Sequence, residues 1–141
     1  MRKTNRKGTN MKREILFRGK RTDNGEWIYG YLIGNNVIVG EVVDFDDDYF
    51  NTQFWYKVDP ETVGQFTGME DSLTFQIFEG DIVRHTRSSV WGTESSVHEV
   101  YFDTELMQFG LKNYNELFNL QFSNEFEVIG NAYDNPELIK P

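Results

Sequence analysis

The chain has 141 residues, no cysteine and a formal net charge of -9, which is enough length for one compact domain or two small units without a disulfide or metal staple. The absence of cysteine excludes disulfides, thiolate nucleophiles and cysteine-ligated metal sites, and it fits a reducing compartment. No apolar run approaches the roughly eighteen residues of a membrane span, so we expect a cytoplasmic protein.

The charge of the chain is divided unevenly along its length. Residues 1–21 form a basic arm with nine basic side chains and one acidic side chain, whereas the remainder has a net charge of -17. Residues 1–10 show no apolar pattern, so they are predicted to be a disordered extension, and they lack the apolar core of a signal peptide. Because an acidic body repels phosphate backbones, nucleic acid is the less favoured partner.

The first predicted β unit covers residues 11–75. A strand at residues 15–17 leads into residues 22–25, where an Asn-Gly pair favours a tight hairpin turn. Residues 26–33 return as a strand with two apolar faces, so we expect both faces to be covered. The aromatic side chains that alternate along one of these faces are Trp27, Tyr29 and Tyr31.

The third predicted strand, residues 37–45, ends in an acidic run at residues 44–48. This run places carboxylates as a calcium loop does, but Tyr49 and Trp55 stand where that loop requires glycine and glutamate. We therefore interpret the run as a solvated acidic loop. Trp55 belongs to the fourth predicted strand, residues 54–58.

A capped turn is predicted after the fourth strand. Asp59 has the position of an N-cap and Pro60 that of the first helical residue. The glycines Gly64 and Gly68 leave room for only a short helical turn. Because a polar loop between two β units can also form a binding edge, Asp59 and Glu61 are candidate binding residues.

The second predicted β unit covers residues 76–141, and residues 11–141 together are expected to form one compact domain. Its strands are predicted at residues 77–84, 97–102, 109–111 and 126–129, with a Ser-rich loop at 88–96 and a segment at 114–120 that fits a helical turn or a strand. The sequence around Asp81 has the form of the entry strand of SH3-like barrels. The chain is therefore predicted to be mostly β, with small antiparallel β units, a C-terminal SH3-like barrel-type part and short helical turns.

The two histidines are the main candidates for catalysis. His85 and His98 could meet across neighbouring strands, in a geometry suited to a metal ion or to acid-base work. Two histidines thirteen residues apart do not make a motif, because a metal site needs three placed ligands and supporting partners. The sequence also has no phosphate-binding loop or serine-hydrolase elbow. We therefore predict no catalytic residue, no metal ligand and no cofactor.

Aromatic residues are the second candidate for a site. Those at residues 27–31 and 54–56 could stack bases, as in proteins that bind single-stranded nucleic acid. Such platforms lie in basic grooves, whereas the charges interleaved here are mostly acidic. A core or a protein interface is therefore the favoured interpretation. The candidate binding residues are Trp27, Tyr29, Tyr31, Trp55, Asp59, Glu61 and Asp81.

Five segments stand out in order along the chain. They are FRGK at 17–20, DNGEWIYGYL at 23–32, VDPETVGQFTG at 58–68, IFEGDIV at 77–83 and EVIGN at 127–131. Taken together, they resemble the YopX family of phage and prophage proteins. One departure lies at residues 69–75, where the family usually has a charged hairpin. The resemblance implies a phage-encoded, β-rich, self-associating protein with a barrel-like C-terminal part, and it implies no established biochemical activity.

The leading hypothesis is a non-enzymatic phage or prophage protein that associates with itself and binds a host or phage protein in the bacterial cytoplasm. Its acidic surface and its exposed aromatic residues would make the contacts. One alternative is a nucleic-acid accessory protein that holds phosphate with the basic arm. Another is a small metal-dependent or hydrolytic enzyme that uses His85 and His98. No membrane partner is expected.

Overall fold

The computed structural model describes residues 1–3, 13–113, 116–119 and 125–139, without side chains for 113 and 116–119. The chain divides into two compact units, an N-terminal unit of Glu14–Phe66 and a C-terminal unit of Met1–Arg13 with Thr67–Pro141. The boundary predicted from the sequence lies after residue 75. The described residues are mostly β, in antiparallel sheets that include a curled half-barrel. This confirms the predicted fold class, while its SH3-like detail stays a prediction.

The N-terminal unit is built on a sheet whose strands follow the order β6-β3-β2-β1-β7. The strands are β1 (Phe17–Lys20), β2 (Trp27–Ile33), β3 (Val37–Val39), β4 (Val42–Phe45), β5 (Phe50–Thr52), β6 (Trp55–Lys57) and the start of β7 (Gly64–Glu70). The predicted hairpin between β1 and β2 is present, with Gly25 at a φ of 73° as the Asn-Gly turn requires.

Close packing between β2 and β3 fixes the core of this unit. A Cβ atom at Gly30 would lie 2.1 Å from the carbonyl oxygen of Val39, so only glycine permits this approach of the two strands. Ile38 packs below Gly30 and is fully buried, together with Val58. The glycine of the sequence segment at 23–32 therefore has a packing role.

The ladder between β3 and β6 continues into a ribbon that we call the hairpin arm, residues 40–54. The Gly40 amide donates to the Phe54 carbonyl at 2.9 Å, and the Gln53 amide donates to the Glu41 carbonyl at 2.9 Å. Beyond these bonds β4 and β5 pair with each other as a sheet of two strands. The acidic run lies at the tip of this arm.

The C-terminal unit contains a five-stranded antiparallel sheet with the order β12-β11-β10-β9-β13. Its strands are β9 (Asp81–Ser89), β10 (Gly92–Asp103), β11 (Gln108–Asn113), β12 (Glu116–Asn119) and β13 (Phe126–Asn131), and β8 (Gln76–Phe78) neighbours β7. The core cluster is apolar and almost fully buried, and its members are Ile77, Val83, Val100, Leu111, Phe126 and Val128.

The prediction of a Ser-rich loop at 88–96 is wrong. β9 and β10 stay paired up to Ser89 and Gly92, which leaves Val90 and Trp91 as a two-residue turn. The serine and threonine residues of this segment are typical of loops. An exposed two-stranded ribbon needs no apolar alternation, so composition alone could not distinguish a loop from such a ribbon. The ambiguous segment at 114–120 contains strand β12, and its other residues lie outside the described part of the chain.

The prediction of a disordered extension at residues 1–10 is wrong for its first three residues. Lys3 forms an antiparallel bridge with Phe75, and the Gln76 amide donates to the Arg2 carbonyl at 2.6 Å. Residues 4–10 lie outside the described part of the chain. Within the described residues, no helix has both the length and the apolar character needed to span a membrane.

Candidate functional site

The predicted aromatic residues Tyr31 and Trp55 lie in one row across the N-terminal sheet. Tyr31 pairs with Val39, and Val39 pairs with Trp55, so the three side chains share a face. Tyr31 is 44% exposed and Trp55 is 64% exposed. The expectation that both faces of this strand are covered is therefore wrong at Tyr31, because alternation shows which residues share a face but not what packs on it.

Trp27 and Tyr29 lie on the same strand but are half-buried. The Arg18 guanidinium carbon lies 4.7 Å from the ring centroid of Trp27, and the Lys20 Nζ lies 5.7 Å from it. The charged side chains in contact with Trp27 are thus cations of the neighbouring strand, and Arg18 is buried. Both cations come from β1, whose register places them opposite Tyr29 and Trp27.

Asp59 and Glu61 lie at the predicted capped turn, which the structure confirms. Asp59 Oδ1 accepts a hydrogen bond from the Glu61 amide at 3.0 Å at the start of a 3₁₀ helix, Pro60–Thr62. Thr62 Oγ1 accepts from the Lys20 amide at 2.9 Å. Asp59 therefore has a structural role in closing the turn, while the Glu61 side chain is exposed.

Asp81 is not at the surface. It is 2% exposed, and its Oδ2 accepts a hydrogen bond from the Phe78 amide at 2.7 Å. Gly80, between them, has a φ of 91°, so the carboxylate and the glycine together hold the tight turn before β9. Of the seven candidate residues, the structure thus places only Tyr31, Trp55, Asp59 and Glu61 on an exposed surface.

The hairpin arm is a binding candidate, although its acidic run was interpreted from the sequence as a solvated loop. Its large apolar side chains between residues 42 and 50 are exposed, and Phe45 at its tip is 79% exposed. The exposed apolar residues are Val42, Val43, Phe45, Tyr49 and Phe50. The carboxylates of the arm are Glu41, Asp44, Asp46, Asp47 and Asp48, and residues 22–56 contain no lysine or arginine. The arm therefore combines apolar area with uniform negative charge.

This ribbon has little internal support. Its described cross-strand contacts include the pairing of Phe45 with Phe50 and a hydrogen bond of 3.1 Å from Asn51 Nδ2 to Asp44 Oδ1. An isolated two-stranded hairpin is marginally stable in water, and clustered exposed apolar side chains are typical of interaction sites. The signal for this site was present in the aromatic residues that flank the acidic run, Phe45, Tyr49 and Phe50.

The histidines lie on one face of the C-terminal sheet, as considered from the sequence. His98 is 1% exposed, and its Nε2 lies 2.7 Å from Ser96 Oγ, while its Nδ1 lies 3.2 Å from the Lys112 carbonyl oxygen. His85 Nε2 lies 2.7 Å from Glu125 Oε2. Sequence reasoning missed Ser96 and Glu125, because one is an ordinary strand serine and the other is forty residues from its partner.

Burial lowers the pKa of the His98 imidazole. The hydrogen bond to the Lys112 carbonyl opposes this effect, and the nearby His85 and Arg87 add smaller lowering contributions. A surface pocket of about 140 Å³ lies at this site, lined by His85, Arg87, Glu94, Ser95 and Ser96. Among the residues that the structure describes, no three His, Asp or Glu side chains are placed to hold a metal ion.

Comparisons with known proteins give a family and a related fold. The model of the YopX protein family matches residues 16–140. The crystal structure of protein EF1440 from Enterococcus faecalis is similar over 90% of this chain and 99% of its own, with a TM-score of 0.60 and 23% sequence identity. This similarity supports a shared fold and says nothing about function. No curated protein matches the chain.

Proposed function

Since the chain belongs to the YopX protein family, we propose that it is a non-enzymatic, phage- or prophage-encoded protein that binds a basic host or phage protein through the hairpin arm. The observation that carries the proposal is the exposure of five large apolar side chains on an arm with five carboxylates. A folded chain gains nothing by itself from apolar area that stays in water. Such area lowers the free energy when a partner covers it.

The charge of the arm selects the class of partner. The exposed carboxylates face solvent and would attract a cationic surface, which raises the rate of encounter and disfavours acidic proteins. Phe45 and Phe50, which pair across the two strands, would then be buried as anchors, since aromatic residues at the centre of an interface contribute about 2 kcal/mol or more each. Charge steers the complex and apolar contact stabilises it.

Affinity capture with matched variants tests this function. The tagged protein, Phe45→Ser/Phe50→Ser and Asp46→Asn/Asp47→Asn/Asp48→Asn are incubated with nuclease-treated host lysate, and the bound proteins are identified by mass spectrometry. The control is Leu106→Ser/Met107→Ser, because these residues form an equally exposed apolar turn elsewhere. We expect a basic protein in stoichiometric amount with the wild type and the control.

The two arm variants should fail in different ways. We expect Phe45→Ser/Phe50→Ser to reduce capture at least about tenfold at any salt concentration, because its anchors are lost. The asparagine variant should bind more slowly at low salt and approach the wild type at high salt, where charges are screened. Equal capture by wild type and both arm variants, or capture of no protein by the wild type, contradicts the proposal.

Self-association is a separate part of the proposed function, and the row of Tyr31 and Trp55 supports it. β6 is the edge strand of its sheet, and Trp55 on it is exposed, so a second copy would cover apolar area and an open edge. Light scattering should give a dimer or larger oligomer for the wild type and a smaller species for Trp55→Ser. Trp91→Ser, which removes a still more exposed tryptophan, should leave the oligomer unchanged. A wild type that stays monomeric at high concentration excludes self-association.

The second candidate function is that of a nucleic-acid accessory protein. One observation favours it, because Lys20 lies on the folded sheet beside Trp27, with its Nζ 5.7 Å from the ring centroid, rather than in a separate arm. Stacking of single-stranded bases on Tyr31 and Trp55 would quench tryptophan fluorescence, with an affinity that falls steeply as salt is raised. An oligonucleotide titration of the wild type and of Lys20→Gln checks this. No quenching at low salt would exclude it.

A further inference from the structure

A serine with a buried histidine behind it lies at the pocket of the C-terminal sheet. Ser96 is half-buried on β10 and belongs to the pocket lining, whereas His98, two residues further on the same face, is inaccessible. Their side chains are joined by a contact of 2.7 Å between Oγ and Nε2. The Ser96 hydroxyl therefore lies between the pocket and the His98 imidazole. A nucleophile has the same position between its substrate and its general base.

The hydrogen bonds fix the proton on this imidazole. The Lys112 carbonyl oxygen can only accept, so the Nδ1 of His98, at 3.2 Å from it, carries the proton and donates. In the neutral ring Nε2 is then unprotonated and accepts from the Ser96 hydroxyl. This is the tautomer that a general base requires. Burial also lowers the pKa of His98, so the ring is neutral at pH 7.

We propose that Ser96 is a reactive nucleophile that accepts an acyl group from acyl phosphates entering this pocket. The bond between Ser96 Oγ and the acyl carbon forms, and the bond from that carbon to the phosphate oxygen breaks. Phosphate leaves with the electron pair, and the hydroxyl proton passes to His98 Nε2. The proposal is independent of the hairpin arm and of the function assigned to it.

Phosphate is the favoured leaving group because of the charge of the pocket. Arg87 is the arginine of the lining, and it would hold a phosphate as it approaches Ser96. Glu94 lines the same pocket, and its carboxylate repels a phosphate, so the net attraction of the pocket for a phosphate is moderate. The other charged or titratable groups described near His98 are His85, Glu125 and Arg87. Esters without an anionic group should react more slowly.

Intact-mass spectrometry with acetyl phosphate as the probe tests the proposal. We expect one acetyl group per chain, located at Ser96 by peptide mapping, and no adduct on Ser96→Ala. Ser88→Ala is the matched control, since Ser88 is an exposed serine of the neighbouring strand β9 and does not belong to the pocket lining. It should react at the wild-type rate. His98→Gln keeps hydrogen-bonding capacity without basicity and should slow the reaction at least about tenfold.

The pH profile distinguishes activation from simple exposure. If His98 is the base, the rate of acetylation is constant near neutral pH and falls only below the ordinary histidine pKa of 6.5, since the pKa of His98 is lowered. An unactivated hydroxyl would instead react faster with each increase in pH. Absence of acetylation, equal labelling of Ser96→Ala, or a rate that keeps rising with pH would overturn the proposal. The pH profile uses the wild type, so the result does not depend on whether His98→Gln folds.

Discussion

At the residue scale, the carboxylate of Asp71 connects segments of the C-terminal unit that are distant in sequence. Its Oδ1 accepts from the amides of Leu73 and Phe75 at 2.9 and 2.8 Å, and its Oδ2 accepts from the Val128 amide at 2.9 Å. The side chain is 5% exposed. One buried anion thus closes the turn between β7 and β8 and attaches it to β13.

We expect Asp71→Ala to lower the free energy of unfolding by about 2 kcal/mol or more, because the buried Val128 amide and the part-buried amides of Leu73 and Phe75 lose their acceptor. Urea unfolding measures the change. Asp103→Ala is the matched control, since Asp103 accepts from the amides of Glu105 and Leu106 in an exposed turn, where water replaces it. A loss for Asp71→Ala no larger than that of the control would show that this network does not stabilise the fold.

At the element scale, the approach of β2 to β3 depends on Gly30. We expect Gly30→Ala to destabilise the protein by about 3 kcal/mol or more, because its Cβ would meet the Val39 carbonyl oxygen at 2.1 Å and the strands must separate. Gly34→Ala is the control: nothing lies within 4 Å of its Cβ, and its φ of 63° is the only obstacle, at a cost of about 1 kcal/mol. Unfolding in urea compares the two, and equal losses would contradict the packing role.

The hairpin arm makes the opposite prediction. Replacing residues 42–52 by an Asn-Gly turn should change the free energy of unfolding by less than about 1 kcal/mol, since the large apolar side chains of the arm are exposed and the closing bonds at Gly40 and Gln53 remain. Thermal and urea unfolding measure stability, and the capture experiment measures binding. A strongly destabilised variant would mean that the arm supports its own unit.

At the scale of the whole molecule, stability should depend on pH through His98. Its pKa is lowered in the folded state, so below about pH 6.5 the unfolded chain binds a proton more readily than the folded chain does. The free energy of unfolding should therefore fall as the pH drops through this range and level off below the folded pKa. Urea unfolding at several pH values, for the wild type and His98→Gln, measures this. A wild type and variant with the same slope would contradict it.

Those features of the fold that depend on residues close together in the sequence could be predicted. Alternation identified the strands, the Asn-Gly pair identified the first hairpin, and Asp59 with Pro60 identified the capped turn. What could not be predicted depends on distant segments or on solvent. The bridge of Lys3 to Phe75 joins residues far apart in the chain, and the exposure of Tyr31 depends on what packs above it. The contact of His85 with Glu125 is of the same kind.

The way the chain enters and leaves the hairpin arm bears on how this protein can evolve. Gly40 and Phe54 are hydrogen-bonded neighbours. The pairing of the main sheet therefore does not depend on the length or sequence of the residues between them. Substitutions there leave the packing of the core unchanged, so binding of a partner, and not folding, constrains them. A lineage could therefore exchange the arm, and with it the preferred partner, while inheriting the scaffold intact.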